Sequence, residues 1–386
     1  MAEDLQVQFV KGNASMQDEL IDFINYVFHL NGTDNDFYRS LPKLYKKEYH
    51  PCEANYITLE NGRIVAAVGS YPGEATVGDT PLSFYGIGNV AVNPYCRSKG
   101  YMKKLMNMAV EDMFAREVDF SVLSGRRNRY AYFSYEMAGS KYCLWLDQAN
   151  VKHANITMDG DYQFKQVKEE DTGVLREIDE LQSKQPLRYY RASEKLLDIL
   201  RSWQATVYSI YDAGSFAGYL VRYDKSVKEI LLTQPVRIKE IVIAFASTEM
   251  KDGVTFELPE FQREYVDSIA ELAENVTIQT VENFTVFNYK KVIEAYLKLK
   301  AAYEVLEDGK VTLLIHGKKK EEQLYIEVKN NTVTVADTRL TPDYEYSHLE
   351  AMSVLFQNYS PLRNQLPRNL KTWFPLPFYI YPADMV

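Results

Sequence analysis

Cysteine is scarce in this 386-residue chain, and the three that occur, Cys52, Cys96 and Cys143, lie far apart. An odd, scattered set gives no disulfide framework and no CxxC metal motif, so a reducing, cytoplasmic setting is expected. Histidine is equally sparse. His29, His50, His153, His316 and His348 form no HxxxH-type pair, and no metal is expected. An excess of positive charge is also missing: 44 Lys and Arg against 53 Asp and Glu leave −9. That balance excludes the basic face that nucleic acid demands. It suits a cationic small molecule instead. No run reaches ~18 uninterrupted apolar residues, the length that spans a bilayer. Met1-Ala-Glu-Asp also lacks the basic-then-apolar order of a secretory leader.

What is present is an ordinary globular composition, 46% hydrophobic and 25% charged, over a length that implies two or three domains. Leu20, Phe23, Ile24 and Val27 share one face of a helix within residues 16–30. Asn61-Gly62 between two apolar runs predicts a hairpin over residues 54–70, followed by strands over 81–92 and 119–123. The pattern then starts afresh. A helix is expected over residues 171–182, with strands over 205–211, 216–221 and 241–246. That second stretch repeats the first in outline. Residues 288–303 read as an amphipathic helix, followed by a strand meander over 311–316, 323–329 and 331–336. A helix near residues 348–356 and a proline-punctuated tail close the chain. Three units result, 1–150, 151–285 and 286–386, in a mixed α/β (α+β) chain.

The chemistry concentrates between Phe84 and Met113. A strand ends at Val90-Ala91-Val92, Pro94 stops it, and Arg97-Ser98-Lys99-Gly100 leads into a helix starting near Tyr101 and Met102. Met102, Leu105, Met106, Ala109 and Met113 form its apolar face, with Lys103, Lys104, Asp112 and Arg116 opposite. A glycine-bearing loop entering a helix presents free backbone N–H groups and a positive dipole end, and Arg97 and Lys99 add charge. Strand, proline, basic loop, glycine and helix together can hold a pyrophosphate. Gly86 and Gly88, just upstream, mark a bulge or a close backbone approach. The same order is absent from the second stretch, where residues 241–246 run into Ser247-Thr-Glu-Met.

Val90, Val92, Pro94, Arg97 and Gly100 resemble, in register, the GNAT acetyltransferase signature V-x-V-x-P-x-x-R-x-x-G-x-[GA]. Met102 departs at its last position. The resemblance implies that Val90, Ala91, Val92, Arg97, Ser98, Lys99, Gly100, Tyr101 and Met102 bind acetyl-CoA. The pantetheine arm would lie between two splayed strands. Tyr130-Ala-Tyr-Phe133-Ser-Tyr135 is similar to the Y-x-x-F-G-Y element of the enhanced-intracellular-survival branch, with Ser134 in place of glycine. That branch implies tandem GNAT folds, each a mixed central sheet flanked by helices. A sterol-carrier-protein-2-like α/β domain follows them, and the second GNAT copy has no coenzyme motif of its own. Self-association as a homo-oligomer is also implied.

The resemblance further assigns general-acid work to Tyr130, with Tyr132 as the competing phenol. It assigns general-base work to the C-terminal carboxylate of Val386, with Asp384 as an alternative. A phenol of pKa near ~10 can protonate a departing thiolate. The tail Trp373-Phe-Pro-Leu-Pro-Phe-Tyr-Ile-Tyr-Pro-Ala-Asp-Met-Val is apolar and aromatic, and such a tail should be packed rather than frayed. Residues 35–49, with Asp36, Phe37, Tyr38 and Tyr45, resemble the part that lines the acceptor pocket. The expected activity is acetyl transfer to an amine of an aminoglycoside, a polyamine or a lysine, by direct attack on the thioester. The competing reading is a non-catalytic lipid- or acyl-CoA-binding protein that uses its C-terminal unit.

Overall fold

A computed structural model describes residues 6–32, 36–46, 48–250 and 252–386. In chain order the first strands are β1 (Val7–Lys11), β2 (Asn55–Glu60), β3 (Arg63–Val77), β4 (Thr80–Val92), β5 (Phe120–Leu123) and β6 (Glu136–Ala138). Then come β7 (Lys141–Leu146), β8 (Tyr162–Gln166), β9 (Leu187–Tyr189), β10 (Thr206–Asp212), β11 (Ser215–Tyr223) and β12 (Ser226–Leu232). β13 (Val254–Pro259), β14 (Asn275–Gln279) and β15 (Glu282–Val286) follow. The last four are β16 (Gly309–His316), β17 (Glu321–Lys329), β18 (Thr332–Asp337) and β19 (Tyr344–Ser347). They build three mixed sheets, ordered β1-β2-β3-β4-β5-β15-β6, β14-β7-β13-β12-β11-β10-β8 and β18-β17-β16-β19, with β9 added to β3.

Side-chain alternation explains the layering of the first sheet. Along β3, Ala66 and Val68 face the helix Tyr101–Ala115, while the intervening Ala67 faces the helix Gln17–Leu30. Alanine at two of these positions lets both helices lie close. The second sheet repeats the arrangement. Ile210, Leu220 and Ile230 pack under the helices Ile238–Glu249 and Arg263–Ala270. Val207, Tyr219 and Val221 pack under Thr172–Ser183. The third sheet is covered by Tyr289–Tyr303 and His348–Phe356.

Two features differ from the expectations. Residues 241–246 are not a strand but the middle of the helix Ile238–Glu249. Ile238, Ile241, Val242, Phe245 and Ala246 recur at helical spacing and are all buried, and so short an apolar run carries no period that separates strand from helix. The strand of that region is β12. The sheets also exchange strands across the expected bounds at 150 and 285: β7 joins the second sheet, and β15 inserts between β5 and β6 of the first.

The tail is buried throughout residues 376–381. Phe378 packs against Phe120, Phe284, Tyr296 and Phe356, and so ties the first sheet to the third. Tyr189 Oη donates to the Tyr379 carbonyl at 2.6 Å. The apolar interior of the last unit is filled by this tail, through Trp373, Phe374, Leu376 and Phe378.

Candidate active site

β4 pairs parallel with β5 only from Phe84/Phe120 to Ile87/Leu123, and beyond that row the two strands part. On its other side, β4 pairs with β3 through a bulge. Ala67 faces Ala91 and Gly69 faces Gly88, so Asn89 and Val90 together oppose one residue of β3. Asn89 takes the left-handed conformation at φ 40°. Its buried side chain holds the distortion: Oδ1 accepts from Tyr71 Oη at 2.8 Å and Tyr45 Oη at 3.1 Å, and Nδ2 donates to Asn55 Oδ1 at 2.8 Å. The bulge sits at Asn89 rather than at the upstream glycines.

Gly86 and Gly88 serve the other expected purpose, close approach. A methyl group on Gly86 would lie 2.4 Å from Val386 Cγ2, and one on Gly88 would lie 3.0 Å from the Val386 carboxyl carbon. The C-terminus of the chain therefore rests on β4 where it leaves β5. Asp384, the alternative carboxylate, is held elsewhere. Arg191 Nε donates to its Oδ1 at 2.9 Å and NH2 to its Oδ2 at 2.8 Å, while the same guanidinium grips Glu229.

Past β4, the Asn93 side chain accepts from the Tyr95 N–H and starts a single turn, Pro94–Cys96. Ser98 (φ 67°) and Gly100 (φ 80°) are both left-handed, which aims the chain into the helix Tyr101–Ala115. Gly100 precedes the helix without a capping side chain, so its first amides are left for an anion. The loop is braced by Glu60, at the end of β2, which sequence inspection did not single out. Lys99 Nζ donates to it at 2.7 Å, and Tyr101 Oη also bonds it. Both bonds hold the Glu60 carboxyl below its usual range. Arg97 donates to Asn31 Oδ1 at 3.3 Å.

These parts line one cleft of about 1140 Å³. It is bordered by Val90, Val92, Arg97, Ser98, Gly100, Tyr101 and Met102 together with Tyr130, Tyr132 and Val386. Ala91 and Lys99 stand apart from that lining. Ala91 is buried on the opposite face of β4, and Lys99 is turned to Glu60. Met102, expected on the buried face of its helix, is only half-buried, and Val110 completes that face. Tyr130 is buried, its ring against Gly125. Burial raises its pKa, with Arg129 acting in the opposite sense. Tyr132 is 61% exposed with Lys103 Nζ over its ring, so the two phenols differ sharply in setting. Ser134 adopts φ 72°, the left-handed region that favours glycine, so this position accounts for the glycine of the element and the serine stands there against that preference.

The far wall is apolar, formed by Val27, Phe28 and Phe37 of the first unit and by Trp203 from the second. Of the expected pocket segment, Phe37 lines the cleft, Asp36 caps a short helix, and Tyr45 belongs to the Asn89 network. Asn35 and Lys47 lie outside the described residues. Trp203 was not foreseen. It and Gln204 hold φ near 60° in succession, a strained arrangement for such side chains that no composition signal announces. Cys96 also lines the cleft, but burial raises its pKa and its Sγ lies 3.6 Å from Glu60 Oε2, so the thiol is a poor nucleophile. Among the described residues, no cluster of three His, Cys, Asp or Glu could hold a metal, and no helix is long and apolar enough to cross a membrane.

Residues 10–138 match the family model described as an acetyltransferase (GNAT) domain. No curated protein sequence matches the chain. Among solved structures, it is similar to a GCN5-related N-acetyltransferase from Kribbella flavida, with TM-score 0.64 and 14% identity, covering 99% of each chain. A GCN5-related N-acetyltransferase from Anabaena variabilis gives TM-score 0.66 and 13% identity, over 99% of this chain and 100% of that one. Eis1 from Mycobacterium abscessus gives 0.60 and 14%, over 97% and 98%. These likenesses show a shared mixed α/β fold along the whole length, consistent with tandem GNAT folds. Residues 10–138 are thus a GNAT acetyltransferase domain, a type of domain that takes an acyl-coenzyme A, and the protein is an enzyme of the acyltransferase class.

Proposed function

We propose that the protein is an acetyl-CoA-dependent N-acetyltransferase in which Tyr130 is the general acid and the Val386 carboxylate the general base. The observation that carries this reading is that Tyr130, Val386 and the Arg97–Met102 loop border one cleft, though they come from opposite ends of the chain. Acetyl-CoA would lay its pyrophosphate on the first amides of the helix Tyr101–Ala115. Its pantetheine arm would run along Val90 and Val92, beyond the point where β4 leaves β5.

A primary amine entering past Phe37 and Trp203 attacks the thioester carbonyl carbon. The new C–N bond forms as the C–S bond breaks, the Val386 carboxylate takes the ammonium proton, and the Tyr130 hydroxyl protonates the coenzyme sulfur. Solvent then returns a proton to the phenolate and removes one from the carboxyl group. A thiol kept protonated at Cys96 favours this direct transfer over an acyl-enzyme. The amine belongs to an aminoglycoside, a polyamine or a lysine. Residues 151–285 act as a second GNAT copy without coenzyme, and residues 286–386 as a sterol-carrier-protein-2-like unit whose interior the tail fills. A cytoplasmic location suits acetyl-CoA supply.

Thioester turnover with a panel of primary amines, read as released coenzyme thiol, tests the reading. We expect turnover with at least one member, and loss of coenzyme binding by calorimetry when Arg97→Ala and Gly100→Val are combined. Undiminished affinity in that double variant, or no thiol release from any amine, sinks it.

A further inference from the structure

One buried cation has no part in the chemistry above. Lys43, in the one-turn helix Pro42–Tyr45, is 8% exposed. Its ammonium donates two hydrogen bonds of 2.6 Å, to the carbonyl oxygens of Ala383 and Met385. Both acceptors lie in the last four residues of the chain. The charges that act on Lys43 are Asp384 and Arg191, and they oppose each other while burial dominates, bringing its pKa to about 7. A lysine so desolvated is costly to keep unless its hydrogen bonds are needed where they are.

The tail is thus fastened at two points. Arg191 fixes the Asp384 carboxylate beside Glu229 of β12, in the second sheet. Lys43 fixes the two neighbouring carbonyls to the first unit. Two residues along the same short helix, the Tyr45 hydroxyl meets Tyr71 Oη at 2.8 Å and Asn89 Oδ1 at 3.1 Å, so it helps to hold the bulge that opens β4. One turn of helix therefore ties the end of the chain to the strand distortion beside the coenzyme site.

We propose that Lys43 is a positioning residue: by gripping the Ala383 and Met385 carbonyls it sets the point from which the Val386 carboxylate enters the cleft. This rests on the reading of Val386 as the base. Arg191 alone leaves the tail attached to the second unit, whereas Lys43 aligns it with the sheet that carries coenzyme. Loss of Lys43 therefore displaces the base, not the coenzyme.

A double-mutant cycle separates this from a merely structural role. Lys43→Met, deletion of Met385 and Val386, and the two combined are assayed for kcat and for the KM of acetyl-CoA. In the full-length chain, Lys43→Met is expected to lower kcat on the order of 10–100-fold, with KM changed less than about twofold. In the truncated chain it should cost nothing further. Equal losses in both backgrounds, or an unchanged kcat, overturn the proposal. If truncation itself leaves turnover at the wild-type level, the base assignment falls first. A costly truncation beside a silent Lys43→Met sinks Lys43 alone.

Should Lys43→Met fail to fold, Lys43→Gln keeps a shorter, uncharged amide in place of the ammonium, and its tail can be followed without activity. Carboxypeptidase should release Val386 from folded Lys43→Gln faster than from wild type, with coenzyme affinity unchanged by calorimetry. Equal release rates overturn the proposal.

Discussion

Two strand–loop–helix junctions can be set side by side, β4 into Tyr101–Ala115 and β12 into Ile238–Glu249. Both strands part from a parallel neighbour. β4 leaves β5 after Ile87, and β12 pairs with β13 only at Ser226 and Val227. Both are followed by a proline and an arginine, Pro94 and Arg97 in one, Pro235 and Arg237 in the other. The first then inserts Ser98 and Gly100 in left-handed conformation, and its helix starts with open amides. The second enters its helix at once from Arg237, with no glycine between. Its strand end is also closed, because the Leu232 N–H donates to Tyr265 Oη at 3.0 Å. Splayed strands alone do not make a coenzyme site. Unpaired backbone donors and a loop that exposes them are needed as well, and the second junction has neither.

Five changes would break or sharpen that contrast. Gly86→Val should have the largest effect, because its Cβ would meet Val386 Cγ2 at 2.4 Å and expel the tail from the first junction. We expect turnover to fall on the order of 10³-fold, within the range for losing an acid or base, with coenzyme affinity nearly kept. Steady-state kinetics beside calorimetry reads both, and a variant with normal kcat would detach the tail from the chemistry. Tyr130→Phe follows, with a loss of about 10²-fold in kcat. Tyr132→Phe, exposed beneath Lys103, should stay near wild type in the same assay. A reversal of the two would transfer the acid role.

At the second junction the effect should appear in stability alone. Tyr265→Phe leaves the buried Leu232 N–H without its partner, costing about 1–3 kcal/mol in denaturant unfolding. Coenzyme binding should not change. The last change, read in stability rather than turnover, concerns β15, the strand lent to the first sheet. Burial raises the Glu282 carboxyl to about 7, with Lys141 and Ser124 opposing. The folded state therefore holds a proton that the unfolded chain releases near ~4.3, and stability falls as pH rises from there to about 7. Glu282→Gln should remove that slope. Its denaturation midpoint should exceed the parent's at pH 8 and converge with it near pH 4; parallel curves would contradict the shift.

Much of this contrast could be read from the chain. Val90, Val92, Pro94, Arg97 and Gly100 marked the open junction, because a phosphate loop needs fixed residue types at fixed spacing. The closed junction was misplaced. The run at residues 241–246 is apolar and β-branched, and only packing under β11 and β12 makes it a helix. The seating of the C-terminus was approachable through the aromatic tail, whose apolarity demanded burial. Its fastening was not, since Lys43, Arg191 and Asp384 lie far apart in the chain and carry no local pattern. Glu60 and Trp203 escaped for the same reason. Glu60 braces the loop from another strand and Trp203 lines the cleft from another unit, proximities that arise only once the sheets are stacked.

One junction is open and the other closed, and titration of the intact chain with acetyl-CoA tests that difference most directly. Calorimetry should show one equivalent bound per chain, abolished by Arg97→Ala with Gly100→Val and untouched by Tyr265→Phe. Two equivalents, or one that survives the loss of Arg97 and Gly100, would contradict it.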